Sequence, residues 1–355
     1  MIKIKIGKTI ISENSKTYFI ADIAANHDGS LKRAKKLIQL CAKAGADAAK
    51  FQHFRAETIV SDFGFKKLGK ITHQKKWKKS VFQTYKEASI NNLWTKKLMK
   101  ECKKNKIDFL TAPYDLGYVD SVNKFIPAYK IGSGDITWHD IIKKISKKNK
   151  PVILATGAST LSEVKKAVKI ILKYNKKVVL MQCNTNYTAQ DNNINHLNLK
   201  VLNQYKAIFK NQIILGLSDH TSGNNSVLGA IALGARVVEK HFTDNNNRSG
   251  PDHKFSMNPK TWREMINQSR ILEKSLGSGN KKIEINEQQS AIVQRRSIRA
   301  SMFIKKGEKI SINKVEFLRP CPKNAIEPYK INKIIGKTVI KNISKGDIII
   351  WKKIK

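Results

Sequence analysis

The chain has 355 residues, 41% of them hydrophobic, enough for one large domain and a small one. Its 68 lysines and arginines against 27 acids give a formal charge of +41. The lysines are dispersed in doublets such as Lys35-Lys36, Lys66-Lys67, Lys143-Lys144 and Lys176-Lys177, without an RNP-type, zinc-finger or helix-turn-helix signature, which favours a solvated surface that draws anionic substrates over a dedicated nucleic-acid or membrane face.

The segment MIKIKIGKTIIS alternates charged and apolar residues, which predicts a β-hairpin and not a signal peptide. No apolar run approaches the roughly 20 residues of a membrane helix. The four cysteines, Cys41, Cys102, Cys183 and Cys321, are far apart and lack CxxC spacing. They read as reduced thiols, so a cytoplasmic protein is expected.

From residue 18 onward, short β-branched runs alternate with helical patterns. The strand candidates are 18–24, 47–52, 107–112, 128–133, 151–156, 177–183, 213–218 and 235–241. Residues 30–45 open on Ser30, close on Gly45 and repeat Leu31, Ala34, Leu37, Ile38 and Cys41 at helical spacing, and 160–174 repeat the pattern. Eight strands alternating with helices over about 250 residues predict an α/β fold, a (β/α)₈ TIM barrel, spanning residues 1–275 with the hairpin. The Lys- and aromatic-rich stretch 53–92 is expected to be an extended loop over the mouth. Residues 276–294 are polar and read as a linker, and 295–355 as a small β-rich domain in which IKKGEKI and ISKGDII repeat a turn followed by a strand.

Barrel chemistry belongs at the C-terminal strand ends, and polar residues gather there: Asp22, Asn26 and His27; Lys50 and Gln52; Thr111; Lys130, Ser133 and Asp135; Gln182, Thr185, Asn186 and Tyr187; Asp219-His220; and His241. His220 and His241 end adjacent strands and can share a divalent cation with positions left open, or each can be a hydrogen-bonded structural histidine. Lys50 and Lys130, charged residues inside strands, need an anion or a carboxylate partner. With Gln52, Ser133 and Thr185 as donors they suit a phosphate or carboxylate; a pair of buried ion bridges and a Schiff-base lysine are the other readings. Gly250-Pro251-Asp252-His253 follows the last strand and either brings Asp252 to the mouth or is a simple β-turn.

In this order, AANHDGSL, KIGSGD, LSDHT, EKHFTDNNNRSGPDHKFSM, QRRSIRA, KKGE and LRP resemble the bacterial sialic acid synthase family across essentially the whole chain. The resemblance implies a barrel followed by an antifreeze-like (SAF) domain that reaches into the partner's barrel in a domain-swapped homodimer. It implies a divalent metal on His220 and His241, usually manganese, with magnesium or cobalt as substitutes. It implies phosphoenolpyruvate on Lys50, Gln52, Lys130 and Ser133, and an open-chain N-acetylated hexosamine such as N-acetylmannosamine on Tyr187, Asp252 and Arg319. By analogy Asp22 is a base for the attacking water and Asp135 orients the sugar.

This sequence departs from the family in places. Asp22 and Asp135 stand where glutamate is common, Ala155 where a serine often precedes Thr-Gly, and QCNTNYT puts Thr185 where many members have asparagine. The implied activity is a transferase, an N-acetylneuraminate-type synthase. A legionaminic or pseudaminic acid synthase is the nearest alternative, and GPDHKFSM looks less like the pseudaminic type. A Schiff-base sugar lyase and a non-enzymatic nucleic-acid or glycan binder are more distant.

Overall fold

The structure, a computed structural model, describes residues 2–71, 74–75 and 77–355. Met1 of the expected hairpin and residues 72, 73 and 76 of the expected loop lie outside them. Alternation decides the first element: β1 (Ile4–Ile6) and β2 (Thr9–Ile11) pair antiparallel around Gly7, whose φ of +54° suits a residue without a side chain. Ile4, Ile6 and Ile11 are buried with Tyr18, Ile20, Leu110, Ile153 and Val179 in one cluster, so the hairpin plugs one end of a barrel.

That barrel is closed and has eight parallel strands: β3 (Tyr18–Asp22), β4 (Ala48–His53), β5 (Asp108–Pro113), β6 (Tyr129–Ile131), β7 (Val152–Ala155), β8 (Val178–Cys183), β9 (Ile214–Asp219) and β10 (Val237–His241), with β10 closing on β3. The (β/α)₈ expectation is met, and each strand falls within a residue or two of its expected bounds. The helix Leu31–Lys43 begins where Ser30 accepts from the Arg33 amide, and Leu161–Tyr174 begins with a Thr160/Glu163 capping box. Among the described residues, no helix is long and apolar enough to cross a membrane.

Parity sorts every barrel side chain. Residues two apart share a face, and the structure separates them into an interior cluster and a cluster between strands and helices. On β5, Leu110 faces in while Phe109 faces the helices. Thr111, expected at the mouth, has the parity of Phe109. It lies buried with its hydroxyl 3.0 Å from the Phe51 carbonyl and 2.7 Å from His53 Nδ1. A carbonyl only accepts, so Thr111 donates to Phe51 and His53 carries its proton on Nδ1, leaving Nε2 to accept from Thr95 at 2.8 Å. Thr111 is therefore a packing residue of the helix layer. Gln182 and Asp219, counted with the strand-end groups, also turn outward: Gln182 donates to the Leu197 carbonyl, and Asp219 is buried against Lys240.

The stretch 53–92 corrects another expectation. It holds the helices Ala56–Ile59, Asp62–Leu68 and Val81–Ala88, the latter two capped by Ser61 and Ser80. The caps were readable; dense lysines masked the short apolar periods.

The chain divides into two compact units after Gly277. In the second, β11 (Ser297–Ala300) pairs antiparallel with β12 (Val315–Leu318) over a core that includes Ile298, Ile310, Val339 and Ile349. The two repeated phrases meet directly, since Ile304 and Ile343 exchange both backbone hydrogen bonds at 2.9 and 3.0 Å. The expected linker is partly structured: residues Gln288–Gln294 form a helix, and the Cys321 amide donates to the Ile292 carbonyl, tying that helix to the second unit.

Burial pushes His53 down to about 4, against about 6.5 in an unfolded chain. Between those values the unfolded chain takes up a proton that the native state does not. The histidine's contribution to stability is thus whole above about pH 6.5 and lost as pH falls toward 4. Thr111→Val should cost about 1–3 kcal/mol of stability in denaturant unfolding and leave turnover unchanged. Lost turnover at unchanged stability would return Thr111 to the mouth.

Candidate active site

The interior parity that removes Thr111 brings other residues together. Asp22, Lys50 and His241 share one level, since Asp22 is in register with both of the others. Lys50 Nζ lies 2.7 Å from Asp22 Oδ2 and 3.4 Å from Glu239 Oε1, and Lys130 Nζ reaches the same Glu239 oxygen at 2.8 Å. All four side chains are under 5% exposed. Gln52 Nε2 and the Ala24 amide also donate to Asp22, at 3.3 and 3.1 Å.

Burial by itself opposes charge on each of these groups, but the neighbours outweigh it. Burial raises the Asp22 carboxyl, and Lys50, with Lys130 behind it, brings it below its usual value. Glu239 is likewise lowered against burial by Lys130 and Lys50, and Lys50 is raised against burial by Asp22 and Glu239. Asp22, Lys50 and Glu239 therefore stay ionised at neutral pH.

Glu239 was missed by the sequence reading. Its signal was available: it stands two residues before His241 on the same strand face, and two interior lysines require a carboxylate.

His220 and His241 bring their ring centroids to 5.3 Å. His220 Nδ1 lies 2.9 Å from the Asn184 carbonyl and so carries the proton, which leaves Nε2 a lone-pair donor. His241 Nε2 is 3.6 Å from Asp22 Oδ2, its Nδ1 is buried without a hydrogen-bond partner, and burial pushes the ring down to about 3, so it is neutral. Against burial, Cys183 and the Asn184 carbonyl hold His220 above the usual histidine value; two imidazoles beside a carboxylate still suit a divalent cation, which would take both rings in their neutral form. Among the described residues no group of three or more His, Cys, Asp or Glu converges as a closed metal site, so water and substrate would fill the other positions. The turn carrying His220 is fixed from outside the barrel, where Lys240 pairs with Asp219 and donates to the Thr221 carbonyl at 2.7 Å.

Tyr187 stacks edge-on to His220 at 4.4 Å, and Phe255, which the sequence reading did not single out, lies 4.8 Å from His241 and 5.4 Å from Tyr187. On the other side, Ser133 accepts from the Gly157 amide at 2.9 Å. A Cβ at Gly157 would come within 2.9 Å of both Thr185 side-chain atoms and 3.1 Å of Cys183 Sγ, so only glycine lets Ser133, Thr185 and Cys183 meet there. Cys183 is a second residue that parity could have found, two positions after Met181 on the interior face. Asp135 sits in the turn Ser133–Asp135, partly buried, and burial pushes its carboxyl up to about 6.

Asp252 does reach the mouth, where Oδ2 accepts from the Ala25 amide at 3.0 Å. The next residue explains why: His253 is fully buried and bonded to Asp28 at 2.9 Å and Thr243 at 2.7 Å, which pins the GPDH turn across the mouth. Gln52, Tyr187, His241 and Asp252 line a cavity of about 170 Å³. Arg319 follows β12 in the second unit and is exposed.

The sequence and the fold have counterparts among known proteins. A family model described as the NeuB family matches residues 37–281, and the SAF domain model matches residues 295–355. The chain is 38% identical over 341 residues to the N,N'-diacetyllegionaminic acid synthase of Campylobacter jejuni, covering 94% of this chain and 99% of that protein. It is 32% identical to the pseudaminic acid synthase of the same organism, over 94% of this chain and 95% of that one. Among solved structures, N-acetylneuraminic acid (sialic acid) synthetase from Leptospira borgpetersenii superposes with a TM-score of 0.71 at 26% identity, covering 81% of this chain and 95% of that one. Similarity of this extent, in sequence and in fold, bears out the family read from the motifs: the chain belongs to the NeuB family of nonulosonic acid synthases, transferase-type enzymes of carbohydrate biosynthesis, with an SAF domain at its C-terminal end.

Proposed function

We propose that the chain condenses phosphoenolpyruvate with an open-chain N-acetylated hexosamine of the N-acetylmannosamine type, releasing phosphate and forming a nine-carbon 2-keto acid. The observation that carries this reading is the pair of buried lysines ion-paired with Asp22 and Glu239 on the interior face of the barrel, where Asp22 also meets Gln52 and His241, two residues of the cavity wall. An ammonium has three donors. Glu239 takes one from Lys130, and Asp22 and Glu239 take two from Lys50, so each retains capacity for the phosphate or carboxylate oxygens of an anionic substrate. Ser133, Thr185 and Gln52 would add uncharged donors beside them.

In the proposed reaction, C3 of phosphoenolpyruvate attacks the sugar aldehyde and forms the new C–C bond. Water adds at C2, and the C2–O bond to phosphorus breaks as phosphate leaves. Lys50 and Lys130 offset the negative charge throughout. His220 and His241 would hold the divalent cation, manganese first and magnesium or cobalt as substitutes, and such a cation supplies a Lewis acid for the aldehyde oxygen. Tyr187 and Asp252 would contact the sugar.

The two aspartates separate by environment. Asp22, clamped by Lys50 and lowered, is a weak base suited to holding that lysine, whereas Asp135, raised to about 6, suits proton transfer near neutrality. A Schiff-base lyase is disfavoured, because it needs a neutral amine and both lysines are ion-paired.

Phosphate release from phosphoenolpyruvate with a panel of N-acetylated hexosamines tests the reading. Chelation should abolish release and manganese restore it; full activity in a verified metal-free sample would end the metal assignment. In the same assay, kcat should rise with pH through about 6 as the Asp135 carboxyl ionises, and Asp135→Asn should remove that limb. An unchanged limb would take the role from Asp135.

Arg319 is proposed to serve the barrel of a second copy in a homodimer, closing the mouth over a polar sugar. Mixing His241→Ala and Arg319→Ala chains, each inactive alone, by unfolding and refolding should then recover up to roughly a quarter of wild-type activity from random two-fold pairing. No recovery, with mixed dimers demonstrated, would confine each site to one chain.

A further inference from the structure

β5 stands between β4 and β6, the two strands that carry Lys50 and Lys130. Its interior column is Leu110, Ala112 and, one residue past the strand, Tyr114, since residues two apart share a face. The Tyr114 amide donates to the His53 carbonyl at 2.9 Å, which extends the ladder with β4 and keeps that parity. The phenol therefore tops the column at the mouth, where it lines the cavity beside Gln52. Phe54 braces its ring at 6.1 Å and is itself braced by Tyr85 at 5.5 Å, with Trp77 another 6.3 Å along the same wall.

The Tyr114 hydroxyl occupies a place made for it. A Cβ on Gly132 would lie 2.9 Å from the phenol oxygen, closer than such atoms pack, but 3.3 Å from the nearest ring carbon. Gly132 has φ −68° and ψ 154°, a backbone conformation open to any residue. The glycine is thus required by the phenol oxygen and not by the turn. Burial raises the phenol, and so do the nearby carboxylates of Asp135, Asp22 and Glu239, so it keeps its proton and remains a donor across the neutral range. Asp22 and Glu239 are the groups that hold the lysines, and Ser133 follows Gly132 directly. Among the described residues no hydrogen bond engages this hydroxyl. It stands between Lys50 and Gln52 on one side and Lys130 and Ser133 on the other, while His220 and His241 end β9 and β10 across the closed barrel.

We propose that the Tyr114 hydroxyl is a further hydrogen-bond donor to phosphoenolpyruvate, bridging the Lys50 and Lys130 sides of the anion site, and that Gly132 makes room for it. The inference rests on the condensation reading, and the test separates the two. Tyr114→Phe removes one oxygen and keeps the ring on which Phe54 packs. Calorimetric titration of phosphoenolpyruvate, without sugar, should show binding at least about tenfold weaker than in wild type, as expected for one lost hydrogen bond to a charged acceptor. In phosphate release the KM for phosphoenolpyruvate should rise in step. The KM for N-acetylmannosamine should not change, and the rise of kcat through about pH 6 should persist. Gly132→Ala reaches the same hydroxyl from the other side. It should weaken phosphoenolpyruvate binding in wild type and add little in Tyr114→Phe, where the 2.9 Å contact no longer exists.

Wild-type affinity for phosphoenolpyruvate in Tyr114→Phe, with turnover intact, would overturn the inference and leave the condensation standing. A change confined to the KM of the sugar, or loss of the limb near pH 6, would put the hydroxyl on the sugar or on Asp135 and overturn it equally. A full additional loss from Gly132→Ala in the Tyr114→Phe background would overturn the role given to the glycine. Neither binding of phosphoenolpyruvate nor phosphate release by wild type would overturn the condensation and the inference together.

Discussion

Four charges buried inside a barrel are the constraint on which the site depends. Removing an ion from water costs several kcal/mol even after relaxation, and only close pairing offsets it. Here Asp22 comes from β3, Lys50 from β4, Lys130 from β6 and Glu239 from β10, and the last of these touches both lysines. The network therefore ties strands on different sides of the barrel to one level. Deleting one member would leave another buried charge unpaired, at a cost of about 3–5 kcal/mol. The opposite end has no such demand and is filled by isoleucines of the N-terminal hairpin.

Holding the lysines charged has a chemical consequence. A lone buried lysine loses its proton; one flanked by carboxylates keeps it and remains a donor. Next to this lysine layer stand two imidazoles, His220 bonded to the Asn184 carbonyl and His241 beside Asp22, caged by Tyr187 and Phe255. On the proposed reading, one mouth combines a place for a multiply charged anion with a place for a cation. Each part is fixed from behind: His220 by the Lys240–Asp219 pair, Asp252 by the buried His253, and Ser133 by the Gly157 turn.

Much of this was legible in the sequence because barrel strands are short, β-branched and regularly spaced. The histidines, the lysines, Gln52 and Asp22 could be placed from strand ends alone, whereas the turn holding Asp252 left its place at the mouth open. The misplaced strand-end residues share one cause. Position at a strand end was read without parity, so Thr111, Gln182 and Asp219 were counted at the mouth although they face the helices, while Glu239 and Cys183, with the correct parity, were passed over. The 53–92 segment failed differently: its helices are too short to show a period through so many lysines, and its role as a wall depends on tertiary contacts among Phe54, Trp77 and Tyr85 that no local pattern encodes.

The central claim is that the carboxylate-held lysines form the binding site for phosphoenolpyruvate. Calorimetric titration of phosphoenolpyruvate into folded wild-type, Lys50→Met and Lys130→Met proteins, without sugar and at physiological salt, tests it most directly. Each lost charge-assisted hydrogen bond is worth about 1.5–3 kcal/mol, so the account predicts affinity lower by at least about tenfold in both variants. Wild-type affinity in both would contradict it.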